Sequence, residues 1–179
     1  MSKVYTTAVV IIPPEEIWGA IQKIRRTYDR QFHRWMPHIT LLYPFKPQSD
    51  FHKLNSLFSF ASKQIKSFQI SFHKFNFFNH GKQRYTLWLA PEPVNQIKVL
   101  QNTLMEIVPD CNDETLHRNG FTPHLSVGQI AGKNNLIGVM DKLQANWNSL
   151  KFKVSSIYFI ARENQKSSEF KIEKEFYLK

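Results

Sequence analysis

What most restricts the fold of this chain is a seven-residue pattern that occurs twice. Trp35-Met36-Pro37-His38-Ile39-Thr40-Leu41 and Phe121-Thr122-Pro123-His124-Leu125-Ser126-Val127 both read aromatic, any residue, proline, histidine, apolar, hydroxyl, apolar. The copies stand 86 positions apart in a chain of 179 residues. Side chains alternate across a strand, so His38 and Thr40 share one face, as do His124 and Ser126. Ile39, Leu41, Leu125 and Val127 turn the other way, toward a core. The proline before each histidine favours an extended entry into the strand. The fold must therefore hold two strands, each with one apolar face and one face offering an imidazole and a hydroxyl.

The rest of the chain supplies a frame for two such strands. Residues 5–12 are rich in β-branched side chains and run into Pro13-Pro14, which predicts a buried strand. Pro13-Pro14-Glu15-Glu16 opens a helix with the stripe Ile17, Ile21, Ile24 and Tyr28. The first motif strand is expected over 39–45, then a helix carrying Phe51, Leu54, Leu57, Phe58, Ala61 and Ile65. Phe68, Ile70 and Phe72 alternate, but the phase slips by Phe75 and Phe77, which predicts a bulge or a strand covered on both faces. His80-Gly81-Lys82 is a turn into a strand over 84–90. A helix after Pro93 carries Ile97, Leu100, Leu104 and Val108, and a polar loop covers 110–120. The second motif strand is expected over 124–130, a helix over 136–147, and closing strands over 152–161 and 170–178. Strand–helix–strand occurs twice, so the chain reads as an α+β protein of two similar lobes sharing a cleft. No linker rich in Gly, Ser or Pro divides it, and residues 1–179 read as a single domain.

Histidine titrates near neutrality, so one imidazole can take a proton while another gives one. Cleavage of a phosphodiester needs both acts, and hydroxyls can hold the non-bridging oxygens. This paired motif resembles the signature of the two-histidine (2H) phosphoesterase superfamily, in which His-x-Thr/Ser occurs twice. The resemblance covers nearly the whole chain in its order of elements. It implies a duplicated arrangement with two antiparallel sheets around a central cleft and helices on the outside. It implies His38, Thr40, His124 and Ser126 as catalytic residues, with one histidine activating water or a ribose hydroxyl and the other protonating the departing oxygen. The implied substrates are RNA ends with 2′,3′-cyclic phosphates, 2′-5′ oligonucleotides or cyclic nucleotides, with no cofactor and no metal. The residues leave open which histidine is the base. They also leave open a non-catalytic RNA- or nucleotide-binding module and a 2′,5′-RNA ligase running the chemistry in reverse.

The formal charge of +10 suits a polyanionic partner. Arg25, Arg26, Arg30 and Arg34 crowd the approach to His38 and are candidate RNA guides, as are Lys82 and Arg84 on the turn. Cys111 is the only cysteine, which excludes an internal disulfide and a cysteine-based zinc site. No stretch approaches the roughly 20 apolar residues of a membrane span, so the expectation is an intracellular, cytoplasmic or nuclear protein, and the lack of an obvious apolar seam predicts a monomer. Five further histidines, His33, His52, His73, His80 and His117, lack a repeated context. Residues 128–134 are too short for a phosphate loop and lack its Ser or Thr. As substrate contacts, Tyr43 is placed on the face of His38 and Thr40 to stack on a base or sugar. Trp35 and Phe121 stand ahead of the motifs as cleft-lining candidates. Tyr158 and Arg162 lie on a late strand bordering the site, with Arg162 as a phosphate partner.

Overall fold

A computed structural model of the protein describes residues 2–116, 120–165 and 167–179. His117, in the polar loop expected over 110–120, lies outside the described residues. Two four-stranded sheets carry the fold, and every pairing in them is antiparallel. The first has the order β2-β1-β7-β8, from β1 (Thr7–Ile11), β2 (Ile39–Leu42), β7 (Ser156–Ala161) and β8 (Lys171–Tyr177). The second has the order β5-β4-β3-β6, from β3 (Phe68–Asn79), β4 (Arg84–Glu92), β5 (Leu125–Ala131) and β6 (Leu150–Val154). Each motif strand, β2 or β5, is thus an edge strand paired to the strand before it, across a helix. Those helices are α1 (Trp18–Tyr28) and α3 (Val94–Ile107); α2 (Phe51–Ser62) and α4 (Lys133–Ala145) follow the motif strands.

The lobes are not the two halves of the chain. The middle of the chain builds the second sheet, and both ends build the first. The span 152–161, expected as one strand, is accordingly two. β6 pairs with β3 in the second sheet, while β7 pairs with β1 and β8 in the first. In β6 only Phe152 and Val154 are buried, on one face of the strand, while β7 is covered on both faces, with Ser156, Ile157, Phe159, Ile160 and Ala161 all buried.

One large core joins the inner faces of both sheets to the helices. The helix stripes face it: Ile21 and Ile24 from α1, Phe51, Leu54 and Phe58 from α2, Ile97, Leu100 and Leu104 from α3. Phenylalanines dominate under the first sheet, where Phe159 lies 4.7 Å from Phe51, Phe58 and Phe176 and 5.0 Å from Phe45, ring centre to ring centre. Such pairs add about 0.5–1.5 kcal/mol each beyond area burial. The motif strands therefore rest on a stiff support. α1 crosses over to β5 of the other sheet, where a Cβ on Gly128 would stand 2.5 Å from the Cβ of Tyr28. That contact ties the two lobes together next to the second motif. No described helix is long and apolar enough to cross a membrane.

The slip of phase at Phe75 is a bulge, with the register of β3 on β4 shifting between Phe72 and Lys74. Two further bulges match each other. In the first sheet Ile11 pairs with Ile39, Val10 with Thr40 and Val9 with Leu42. In the second, Leu89 pairs with Leu125, Trp88 with Ser126 and Leu87 with Gly128. Both motif strands thus carry one extra residue at the same distance after the histidine. The extra residue reverses the facing of everything beyond it. Strict alternation would put Leu42 on the face of His38, yet Leu42 is in the core and Tyr43 joins a small outer cluster with Val10, Ile160, Trp35 and Phe170.

Candidate active site

Pro37, Ile39 and Leu41 are buried while His38 and Thr40 are only half-buried, and Pro123, Leu125 and Val127 against His124 and Ser126 repeat the pattern. The edges β2 and β5 touch, which brings the two motifs close enough for the charge of His124 to act on His38. Each imidazole is fixed in the same way. His38 Nδ1 lies 2.7 Å from the Met36 carbonyl, and His124 Nδ1 lies 2.8 Å from the Thr122 carbonyl. A carbonyl only accepts, so each Nδ1 carries a hydrogen and donates it. In both rings Nε2 is then the atom that takes a proton when the ring is neutral and gives one when it is charged.

The surroundings of the two rings differ. Trp35 stacks on His38, centres 4.7 Å apart and planes 19° apart, and stacks also on Phe170. Behind this loop Arg25 is buried, 2% exposed, where the sequence offered it as an RNA guide. Its Nε donates to Asp29 at 2.8 Å and its Nη2 to the Trp35 carbonyl at 2.8 Å. Burial pushes His38 down to about 4; the bond to Met36 opposes this, the charges of Arg25 and His124 add to it, and Asp29 opposes it. His124 instead meets Phe78 edge-on at 4.9 Å and Trp88 at 5.9 Å. Trp88 is 6% exposed, stacks on Phe78 and stands across from Ser126. Its Nε1 is buried with no hydrogen-bond partner among the described residues.

The remaining candidates separate. Tyr43 lies edge-on to Trp35 at 5.4 Å, next to the first motif. Phe121, equivalent to Trp35 in the pattern, is 7% exposed and packs into the main core, so it supplies no cleft wall. Tyr158 pairs with Val10 on β7, and its hydroxyl donates to Glu175 at 3.0 Å. Burial first, then Glu175, raise that phenol to about 12. Arg162 sits 5.5 Å over Phe170, and its Nη1 donates to the carbonyls of Glu163 and Gln165, which anchors it to its own loop. The sequence reading placed Arg25 near His38, though as an RNA guide, and missed Phe78, Trp88 and Phe170 in the surroundings of the two motifs. Only the bulge in β3 pointed toward Phe78, and nothing local pointed to the others. Among the described residues no three His, Cys, Asp or Glu gather in metal-binding reach.

In backbone shape the chain is similar to TT0787 of Thermus thermophilus, with a TM-score of 0.65 at 18% identity over 97% of both chains. It is also similar to E. coli LigT solved with 3′-AMP, with a TM-score of 0.60 at 15% identity over 99% of both chains. A third solved structure, described as a phosphoesterase, gives 0.61 at 16% identity over 97% of this chain and 98% of that one. These likenesses bear on the fold, which agrees with the two-sheet arrangement the motif implied. No curated protein matches the sequence. A family model does, across residues 13–166, a span that holds both histidine motifs. With that match added to the twofold site, the chain belongs to the 2′-5′ RNA ligase superfamily.

Proposed function

We propose that this protein is a metal-independent phosphodiesterase acting on RNA or nucleotide phosphodiesters that involve a ribose 2′-oxygen, either 2′,3′-cyclic phosphate ends or 2′-5′ linkages. One observation carries the reading: two imidazoles, each locked by the same Nδ1 bond to the carbonyl two residues back, stand on touching edge strands that each also carry a hydroxyl two places on. A general base and a general acid need nothing more than two Nε2 atoms on opposite sides of a phosphate. His38, held neutral by burial and by Arg25, is the base. Its Nε2 takes a proton from water as the water oxygen bonds to phosphorus. The bond from phosphorus to the ribose oxygen breaks, and His124 Nε2 gives that oxygen its proton. Thr40 and Ser126 donate to the non-bridging oxygens and hold the phosphorus in line. That LigT was solved with 3′-AMP supports a ribonucleotide in the cleft.

The test is turnover, in chelator, of RNA ending in 2′,3′-cyclic phosphate, of 2′-5′ oligoadenylate and of ordinary 3′-5′ RNA. His124→Ala lowers turnover of a 2′-type substrate by roughly 10³-fold or more. Activity that vanishes in chelator sinks the metal-independent mechanism, and RNA binding without turnover of any substrate leaves a binding module. The low value of His38 has a test of its own. NMR titration of its imidazole is expected to give a midpoint near pH 4, and a midpoint near the ordinary histidine value of about 6.5 removes the ground for naming it the base.

A further inference from the structure

The bulge after the second motif has a consequence for what lies beyond the histidines. Thr86 pairs with Gln129 as Trp88 pairs with Ser126. Thr86 and Trp88 are two apart on β4 and share a face, so Gln129 is turned onto the face of Ser126, which strict alternation would deny it. That face therefore continues from the site along β5 into a groove of about 490 Å³ lined by Arg30, His80, Arg84, Thr86 and Gln129. At about 3.3 Å per residue, Gln129 lies roughly 10 Å from Ser126. The distance is too great for the phosphate under attack and suits the next one along a strand.

The groove is held in shape from both sides. Gln129 Oε1 accepts from the Arg30 amide at 2.9 Å, and its Nε2 donates to Asp29 at 3.1 Å, which fixes the end of α1 against the β5 edge. Opposite, His80 bonds to Thr86 Oγ1 at 2.9 Å. The Arg84 amide donates to Gly81, and the Gly132 amide donates to Gln83, which pins the β3–β4 turn to the end of β5. Gly81, Lys82 and Gln83 all have positive φ, so this turn is a specific and unusual one. Arg30 and Arg84, far apart in sequence, both line the groove, and neither has an ion pair among the described residues. No carboxylate is among the groove's lining residues; Asp29 lies behind Gln129, bonded to Arg25 through Oδ2 and to Gln129 through Oδ1.

We infer that this groove, Arg30 and Arg84 above all, binds a phosphodiester flanking the reacting one, so that the substrate is an RNA strand and not a lone cyclic nucleotide. The inference rests on the phosphodiesterase reading for its catalytic half. Arginine forks suit phosphate oxygens, and each contact to single-stranded nucleic acid displaces condensed cations.

Arg30→Gln with Arg84→Gln is compared with wild type on two substrates, an oligonucleotide ending in 2′,3′-cyclic phosphate and a 2′,3′-cyclic mononucleotide. KM for the oligonucleotide rises roughly tenfold and that for the mononucleotide does not move, since only the first carries the flanking phosphate. Removing two charges elsewhere, Lys63→Gln with Lys98→Gln, leaves both unchanged. Equal effects on both substrates, no effect on either, or the same effect from the lysine pair overturn the inference. Binding of a labelled oligonucleotide, followed by anisotropy against salt, reports separately from turnover. The slope of log K on log salt falls by about 1.4 in the arginine variant, and an unchanged slope overturns the groove even if wild type turns over nothing.

Discussion

Around His38 and around His124 the same backbone carries different side chains. Strand pairing, bulge position and the Nδ1 bond coincide residue for residue. Yet Val10 stands where the other lobe has Trp88, Leu42 where it has Gly128, and Tyr43 where it has Gln129. His38 is backed by a buried ion pair and stacked on an indole; His124 is met by aromatic edges. Two identical imidazoles in identical settings would titrate alike, and either could serve as base or as acid. The duplicated backbone delivers two proton-transfer groups, and the unduplicated side chains are what can set their pKa values apart.

The ion pair is where this comparison breaks most severely. Arg25 and Asp29 have side chains 2% and 3% exposed, and Arg25 also supports the carbonyl of Trp35 just before the motif. Removing one member of a buried pair leaves the other charge without compensation, at a cost of about 3–5 kcal/mol. Arg25→Ala is expected to lose that much in urea unfolding, and to raise the pKa of His38 in NMR titration because a positive charge beside it is gone. A loss under about 1 kcal/mol, with His38 unmoved, would mean that the asymmetry between the histidines does not originate in α1.

A smaller effect is expected at Gly128, where the lobes differ because α1 crosses β5. A methyl there meets the Tyr28 Cβ at 2.5 Å and the Tyr28 carbonyl oxygen at 3.1 Å, so the helix has to move. Overpacking of this kind costs about 1–3 kcal/mol. Gly128→Ala in the same unfolding assay checks it, and an unchanged midpoint would show that α1 rides loosely on β5.

Much of this was legible in the sequence, for reasons that are local. The alternation around His38 and His124, the helix stripes and the slip at Phe75 are consequences of period alone. The division of 152–161 between two sheets was not legible, because apolar residues fill even and odd positions alike over 157–161 and only the distant pairings separate the two strands. The neighbours of the histidines were not legible, because sequence-distant pairings place them: Trp88 by its rung with Ser126, Phe78 after a bulge, Phe170 from the last loop. Trp35 and Phe121 show the limit best. They hold equivalent places in the pattern, yet one stacks on its histidine and the other is core. A motif specifies the strand it opens but not the tertiary surroundings of the residue three places earlier.

The smallest expected effect belongs to Trp88, the bulky counterpart of Val10. Its indole Nε1 is buried without an acceptor among the described residues, and an N–H in that state costs about 1–3 kcal/mol. Trp88→Phe removes the orphan donor and keeps a ring against Phe78, while the lost half of the indole gives up some packing. The two terms oppose each other, so the midpoint of unfolding should move by less than about 1 kcal/mol in either direction. Trp88→Leu keeps neither ring nor donor and should be clearly worse. If Trp88→Phe instead costs more than about 2 kcal/mol, the N–H has an acceptor in solution, and the aromatic wall beside His124 is held by a polar bond that Val10 has no means to copy.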